Sequence, residues 1–319
     1  MTFTFGIYPG GLLGDETSVI EPVRPDDPAL IAAALRELQG DAPEFLVRAY
    51  RSYPTGEHTP ERPEQYAGQG RRLDLVLQYR ERSGESAGWL DFVRHTVRTD
   101  GGRIALLQIC EEPNADLPVL DGSVPGVRRA LAEGVVAAKE EALAHGYDLA
   151  VGFNAVPVFD PADTFWPELG SLADERFHRA LDYVGLDFFP DVFRPLPPDR
   201  LADGVRAVLA GFRRDTARAG IAASVPMRIC EHGWPTGPGR DEARQAEVVE
   251  EVVRTVAGLA AELAVSGYAF FGLRDADSAG AGLFHHFGLL RDDYSRKPAF
   301  DVYRRLVAEL TVAPAASKA

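Results

Sequence analysis

The sequence is poor in cysteine, with only Cys110 and Cys230 among its 319 residues. Two thiols are too few for a secreted disulfide framework or for a structural zinc site of the usual kind. Both cysteines are expected to be buried, small apolar side chains. A cofactor metal would therefore need other ligands. We expect no cofactor and no metal.

Positive charge is also scarce, because 34 basic residues face 48 acidic residues and leave a formal net charge of -14. Such a surplus would repel nucleic acid phosphates and anionic membrane surfaces. No 18 uncharged apolar residues run together, and the first seven residues have neither a basic segment nor a long apolar one. We expect a cytoplasmic protein that binds neither nucleic acid nor membrane, and the oligomeric state stays open.

What is present is the composition of an ordinary globular protein, with 45% apolar and 26% charged residues. The length fits two average domains or one α/β barrel. Neither a repeat of 20 to 50 residues nor a low-complexity linker divides the chain. We expect one domain over residues 1–310 and a disordered tail over residues 311–319.

Eight short runs rich in β-branched or aromatic residues predict strands, and segments with helical spacing lie between them. The predicted strands are Thr2 to Ile7, Glu44 to Ala49, Leu73 to Gln78, Arg103 to Ile109, Leu149 to Phe153, Tyr183 to Phe188, Met227 to Cys230 and Tyr268 to Leu273. The predicted helices include Ala29 to Leu38, Ser86 to Arg98, Gly126 to Ala144, Leu201 to Ala219, Asp241 to Leu263 and Ala299 to Leu310. This alternation favours a (β/α)8 TIM barrel. A doubly wound sheet is the competitor, but no G-x-G-x-x-G pattern follows the first strand.

Two predicted strands end in glutamates, at the edge where a barrel carries its reactive groups. The fourth strand ends in Glu112-Pro113-Asn114 and the seventh in Glu231-His232-Gly233-Trp234-Pro235. These strands lie on opposite sides of the barrel mouth. Two facing carboxylates are what cleavage of a glycosidic bond requires, one as proton donor and one as attacking group.

These motifs resemble those of the clan A (4/7 superfamily) retaining glycoside hydrolases, and they are most similar to families 5 and 39. The segments Leu289-Leu290-Arg291 and Lys297-Pro298-Ala299-Phe300 share this resemblance. The resemblance implies that Glu112 is the acid/base and Glu231 the nucleophile, with carboxyl groups about 5 to 5.5 Å apart. It also implies that Arg48 is the clan arginine that keeps the nucleophile ionised. The implied substrate is a small carbohydrate or glycoside.

The sequence departs from the clan pattern at three places. Glu111 stands where the clan carries an asparagine that bonds the sugar 2-hydroxyl, and it either faces a cationic sugar amine or turns outward to pair with an arginine. The strand-six tyrosine that touches the nucleophile is replaced by Phe188 or Phe189. The strand-eight tryptophan is replaced by Phe270 or Phe271.

Further residues near the strand ends complete the predicted substrate-binding set. Tyr50, Trp234 and Phe271 are either sugar-stacking rings or core aromatics, and Asn154 contacts the acid/base or the substrate. The complete set is Arg48, Tyr50, Glu111, Asn114, Asn154, Asp187, His232, Trp234, Phe271 and Arg274.

Two other functions remain open. A glycan-binding pseudoenzyme would keep the pocket without turnover, as the three departures allow. A phosphate-binding lyase or isomerase would use the glycine-rich loop Ser278-Ala279-Gly280-Ala281-Gly282. Against that second alternative, no lysine lies on a predicted strand to form a Schiff base.

Overall fold

The structure is a computed structural model that describes residues 3–14, 17–82 and 87–311. Residues Thr2 and Ser86, at the starts of a predicted strand and a predicted helix, lie outside the described residues. Thr311, the first residue of the expected tail, is the last residue of a helix. Residues 312–319 lie outside the described part.

Eight parallel strands close into a barrel, which confirms the predicted fold. Strand β1 pairs with β8 on one side and with β2 on the other, so the sheet has no open edge between its first and last strands. The strands are β1 Thr4–Tyr8, β2 Phe45–Tyr53, β3 Arg71–Tyr79, β4 Ile104–Ile109, β5 Ala150–Ala155, β6 Tyr183–Asp187, β7 Met227–His232 and β8 Val265–Phe271.

Helices surround the barrel and return the chain to the start of the next strand. Asp27 accepts hydrogen bonds from two backbone N–H groups at the start of the first helix, and Asp241 accepts one at the start of the seventh. The helices are α1 Pro28–Gln39, α2 Ala87–Asp100, α3 Val127–His145, α4 Phe165–Leu172, α5 Glu175–Ala180, α6 Leu201–Arg218, α7 Glu242–Gly258, α8 Ala260–Leu263 and α9 Pro298–Thr311.

The connection between β2 and β3, residues 54–70, contains no α-helix. Three prolines and three glycines in this stretch disfavour one. Instead, the short strand His58–Thr59 pairs antiparallel with β2, and a single 3₁₀ turn covers Pro63–Tyr66. The hairpin extends β2 four residues beyond its predicted end, past Tyr50.

The strand ends that carry the candidate residues meet at one mouth of the barrel. Six polar or charged side chains near these ends are buried: Arg48, Asp74, Gln108, Asn154, Asp187 and Glu231. Buried polar groups require partners, so they are expected to bond to one another. No helix within the described ranges is long and apolar enough to cross a membrane.

Candidate active site

Glu231, near the end of β7, receives the side chain of Arg48 from β2 across the barrel. The Nε and Nη2 atoms of Arg48 lie 3.1 and 3.0 Å from Oε1 of Glu231. The arginine is fully buried and the glutamate nearly so. A charge-assisted contact inside the protein fixes both side chains and favours the ionised carboxylate.

Two residues that the sequence reasoning missed complete the surroundings of Arg48. Its Nη1 donates to Asp74 of β3 at 3.1 Å, and its Nη2 donates to Gln108 of β4 at 3.0 Å. Each stands as a single polar residue inside an apolar run, Leu73-Asp74-Leu75 and Leu107-Gln108-Ile109. A lone polar residue in a buried strand is the signal that could have identified them.

Tyr50, on the second strand, donates a hydrogen bond to Glu231. Its hydroxyl donates to Oε1, the oxygen that Arg48 also contacts. The sequence analysis looked for a tyrosine on the sixth strand and found Phe188 and Phe189 there. The phenol that reaches the carboxylate comes from Tyr50 on β2 instead. Tyr50 is therefore a partner of Glu231 rather than a plain core aromatic.

Glu112 follows β4 in a turn with unusual backbone angles. Cys110 has φ 64° and Glu112 has φ 43°, both in the left-handed region that side chains other than glycine rarely adopt. Such strain persists where surrounding contacts over-determine it, often at functional sites. Here the backbone N–H of Glu112 donates to Oδ1 of Asn154 at 2.8 Å. Of the two contacts expected for Asn154, it makes the one to Glu112.

Asp187 ends β6 and adds a buried carboxyl group beside the two glutamates. Its Oδ2 accepts a hydrogen bond from the Asn154 amide, while its Oδ1 has no partner among the described residues. One carboxylate oxygen each of Glu112, Asp187 and Glu231 lie within 4.8 Å of one another. These three residues could hold a cation, but a metal at Glu231 would compete with the guanidinium at 3.0 Å.

The surroundings set different proton affinities for these carboxyl groups. Burial, followed by the negative charges of Glu231 and Glu111, raises the pKa of Glu112 well above its ordinary value. Burial also raises the pKa of Glu231, but Arg48 and the hydrogen bond from Tyr50 oppose that rise. Burial and the charge of Glu231 raise the pKa of Asp187 well above its ordinary value.

Glu111 pairs with an arginine, which is one of its two expected arrangements. Its carboxylate contacts Arg80 and accepts from Nε2 of Gln78 at 2.6 Å. Its backbone N–H donates to the buried Asp121 at 2.7 Å. The charge of Glu111 nevertheless raises the pKa of both Glu112 and Glu231. The side chain therefore lies close enough to the mouth to act on the carboxylates.

Asn114 joins the turn after β4 to the turn after β5. Its amide donates to the carbonyl of Val156 and accepts from the N–H of Val156, both at 2.9 Å. Both polar atoms of the side chain are used in this way. Asn114 thus positions the loop that carries Glu112.

Two predicted substrate contacts are core residues in the structure. His232 is fully buried, and its Nδ1 bonds to the hydroxyl of Tyr268, a ring that packs against Tyr303 of α9. Burial lowers the pKa of His232 to about 3. Arg274 is also fully buried and bonds to Asp26 through Nε and Nη2 at 3.0 and 2.8 Å. The structure supports structural roles for both, since neither side chain is exposed at the mouth.

The two predicted stacking rings differ in their surroundings. Trp234 is buried, donates to Asp191 at 3.3 Å and has the guanidinium of Arg240 4.7 Å from its ring centroid. Phe271 is partly exposed and stacks on Tyr8, with centroids 5.1 Å apart and planes 17° apart. Phe271 therefore keeps exposed ring surface, whereas Trp234 is enclosed by protein.

The glycine-rich loop after β8 borders a cavity of about 320 Å³ that also includes Lys297. The ammonium group of Lys297 already has three acceptors: Asp275 at 2.7 Å, Thr236 at 2.9 Å and the carbonyl of His286 at 3.2 Å. A cation with its donors used inside the protein offers little to a phosphate. This geometry does not favour the phosphate-binding alternative.

No family model matches the sequence, and no curated protein sequence matches it. Solved structures do match the fold. A glucosidase from Croceicoccus marinus matches with a TM-score of 0.63 at 14% identity. The match covers 97% of this chain and 71% of the glucosidase chain. A b-glucuronidase from Ruminococcus gnavus has a TM-score of 0.60 at 13% identity, over 96% of this chain and 48% of that one.

A third similar structure is a GH39 enzyme from Xanthomonas axonopodis pv. citri, with a TM-score of 0.58 at 16% identity over 96% of this chain and 66% of that one. The present chain thus spans about half the length of the b-glucuronidase and about two thirds of the GH39 enzyme. Identities this low establish fold alone. The chain has the (β/α)8 barrel fold found in these glycoside hydrolases, as the resemblance of its strand-end motifs predicts.

Proposed function

We propose that this protein is a retaining glycoside hydrolase in which Glu231 is the nucleophile and Glu112 the acid/base. One observation carries the proposal: the two glutamates, from β4 and β7, have carboxylate oxygens within 4.8 Å of each other. Retaining enzymes hold their carboxyl groups roughly 5 to 5.5 Å apart, whereas inverting enzymes need roughly 6.5 to 9.5 Å to admit a water. The short separation supports retention.

The contacts of each glutamate suit its proposed role. Arg48 and Tyr50 both bond to Oε1 of Glu231, and this favours the ionised form that a nucleophile needs. Among the described residues no cation bonds to Glu112, and its raised pKa favours the protonated form that a general acid needs. Environments that separate the proton affinities of two carboxyl groups are how one site assigns both roles.

The reaction follows from these roles. Glu231 attacks the anomeric carbon while the proton of Glu112 passes to the glycosidic oxygen, so the C–O bond breaks and the alcohol leaves. The sugar is then held as an ester of Glu231. Glu112, now ionised, then takes a proton from a water molecule. The oxygen of that water attacks the same carbon, and the ester bond to Glu231 breaks. Two inversions at the carbon restore its original configuration.

Asp187 is proposed to position the acid/base. Its Oδ2 accepts a hydrogen bond from the amide of Asn154, whose Oδ1 accepts the backbone N–H of Glu112. Burial raises the pKa of Asp187 well above its ordinary value, which favours a neutral carboxyl group beside Glu112. Asp187 and Asn154 together fix the turn and the side chain of the acid.

The substrate class is proposed to be a carbohydrate glycoside. The fold is shared with proteins described as a glucosidase and a b-glucuronidase, the latter in complex with D-glucuronic acid. The carboxyl pair supplies both proton and nucleophile, so the mechanism requires no cofactor. The cytoplasmic location, the single domain and the lack of nucleic-acid and membrane partners stay predictions from the sequence.

A panel of aryl glycosides that differ in the sugar tests the proposal. Proton NMR of the first-formed product should show the anomeric configuration of the substrate. A product of inverted configuration would contradict the retaining mechanism.

A glycan-binding protein without turnover is the second candidate. It is favoured by Glu111, whose carboxylate bonds to Arg80 and Gln78 where the clan has an amide for the sugar. Its signature would be saturable binding of a glycoside that is recovered uncleaved. Release of the aryl group would contradict this candidate.

A further inference from the structure

Five phenylalanine rings form a continuous strip that leads away from the proposed nucleophile. Phe271 ends β8 and Phe189 follows β6, and these two strands flank β7, the strand that carries Glu231. Tyr8, which stacks on Phe271, packs its ring against Tyr50, the hydrogen-bond partner of Glu231. The inner end of the strip therefore lies at the reactive centre.

The remaining rings carry the strip to the surface. Phe189 contacts Phe193 at 5.9 Å between centroids, and Phe193 stacks on Phe284 at 5.9 Å. Phe287 lies beneath them, 5.7 Å from Phe189 and 5.8 Å from Phe284. Phe193 is 52% exposed, whereas Phe287 is buried. We call Phe271, Phe189, Phe287, Phe284 and Phe193 the phenylalanine strip.

The outer part of the strip is held in place by polar contacts behind it. The guanidinium of Arg240 donates to the carbonyls of Asp191 and Val192, at 3.3 and 3.1 Å. The carboxylate of Asp191 accepts the N–H of Leu196 at 2.8 Å and closes the loop around Phe193. A ring fixed in advance loses little freedom when a ligand packs on it.

The two sides of the barrel mouth therefore differ in the side chains that they present. The side formed by β2, β3 and β4 presents the hydrogen-bonding groups of Tyr50, Gln78, Arg80 and Glu111. Beyond Asp187 at the end of β6, the side formed by β6 and β8 presents phenyl rings, which have no conventional donor or acceptor. A sugar that stacks its C–H face on these rings gains no partner there for its hydroxyls, whereas an aryl group needs none.

We propose, building on the proposed function, that the phenylalanine strip binds an apolar, aromatic aglycone. The sugar ring occupies the polar side next to Glu231, and the leaving group lies along the strip. The substrate class is then a glycoside of a hydrophobic phenol or alcohol rather than an oligosaccharide. Stacking of an aromatic aglycone on exposed phenyl faces supplies the specificity.

The test compares 2-naphthyl, phenyl and methyl glycosides of one sugar that the protein cleaves. Phenol and naphthol leave with similar ease, so their ratio of kcat/KM reports binding of the larger ring. The wild type should prefer the naphthyl glycoside, and Phe193→Ala or Phe284→Ala should lower that preference roughly fivefold. Cleavage of the methyl glycoside should be unchanged by both substitutions.

Phe3→Ala is the matched control, because Phe3 precedes β1 at the opposite end of the barrel and packs on Phe5. It should leave the naphthyl-to-phenyl ratio unchanged. Equal ratios for the wild type and the two strip variants, with cleavage intact, would overturn the aglycone site and leave the proposed function standing. Failure to cleave any glycoside would overturn the proposed function and the aglycone site with it.

Discussion

The hydroxyl of Tyr50 bonds to Oε1 of Glu231, the same oxygen that Arg48 contacts through two nitrogens. Tyr50 and Arg48 are two residues apart on β2, so their side chains point to the same side of the strand. A single strand thereby supplies both the cation and the hydroxyl donor that favour the ionised carboxylate. The hydroxyl that bonds to Glu231 therefore comes from the second strand and not from the sixth, where the clan pattern has its tyrosine.

Tyr50→Phe should move the acidic limb of the pH profile of kcat/KM to higher pH. The hydrogen bond from Tyr50 lowers the pKa of Glu231, so its loss raises that pKa. Glu231 must be ionised to attack, and it would then be protonated at a higher pH. The measurement is kcat/KM across the acidic range with one activated aryl glycoside.

Tyr8→Phe is the control for that variant. Tyr8 packs on Tyr50, but its hydroxyl donates to the carbonyl of Leu12 at 2.7 Å and makes no hydrogen bond to Glu231. Its acidic limb should coincide with that of the wild type. An equal displacement in both variants would contradict a specific role for the Tyr50 hydroxyl.

Glu111→Gln should displace both limbs of the profile toward lower pH. The charge of Glu111 raises the pKa of Glu112 and of Glu231, so its removal lowers both. The basic limb, where Glu112 loses its proton, and the acidic limb, where Glu231 gains one, then move in the same direction. Glu57→Gln, at an exposed position in the loop after β2, makes the same charge change and should move neither limb.

Opposite displacements of the two limbs in Glu111→Gln would contradict this electrostatic account. A second substitution at this position, Glu111→Asn, bears on the substrate. If Glu111 faces a sugar amine, Glu111→Asn should shift preference from 2-amino to 2-hydroxy or 2-acetamido sugars. Unchanged relative kcat/KM across the three would leave Glu111 as a partner of Arg80 alone.

Arg48→Met should destabilise the fold by about 3 to 5 kcal/mol, because it leaves the carboxylates of Asp74 and Glu231 buried without their cation. The free energy of unfolding from urea titration measures the loss. Protonation of the carboxylates removes the unpaired charge, so the loss should shrink in acid. If the loss in free energy of unfolding does not depend on pH, it arises from lost packing of the Arg48 side chain and not from unpaired charge.

Arg176→Met is the control for Arg48→Met. Arg176 pairs with Glu140 at the surface, where both side chains are more than half exposed. Exposed pairs contribute little to stability. The free energy of unfolding should therefore match that of the wild type.

The barrel could be predicted from the sequence because its strands are apolar runs with clear ends. All eight predicted strands overlap the observed ones, and the glutamates followed from their positions at two strand ends. The helices α4 and α5 escaped prediction because they have only 8 and 6 residues. Short helices show too few turns for periodicity to stand out.

Contacts between strands were harder to predict than the strands themselves. Asp74 meets Arg48 because β2 and β3 pair in register at these two residues, and the sequence does not state that register. The sequence places His232 and Arg274 at strand ends, where exposed residues are expected. Both are buried because other segments pack on them, with Tyr268 against His232 and Asp26 against Arg274. Strand positions therefore follow from local pattern, whereas polar partners follow from the closed barrel.

The configuration of the glycosyl azide formed by Glu112→Ala and by Glu231→Ala tests the central claim most directly. Azide takes the place of water in Glu112→Ala, so an activated glycoside should give an azide of retained configuration and the rate should recover. In Glu231→Ala azide takes the place of the nucleophile, so any product should be inverted. Retained azide from Glu231→Ala, or inverted azide from Glu112→Ala, would contradict the assignment of the two glutamates.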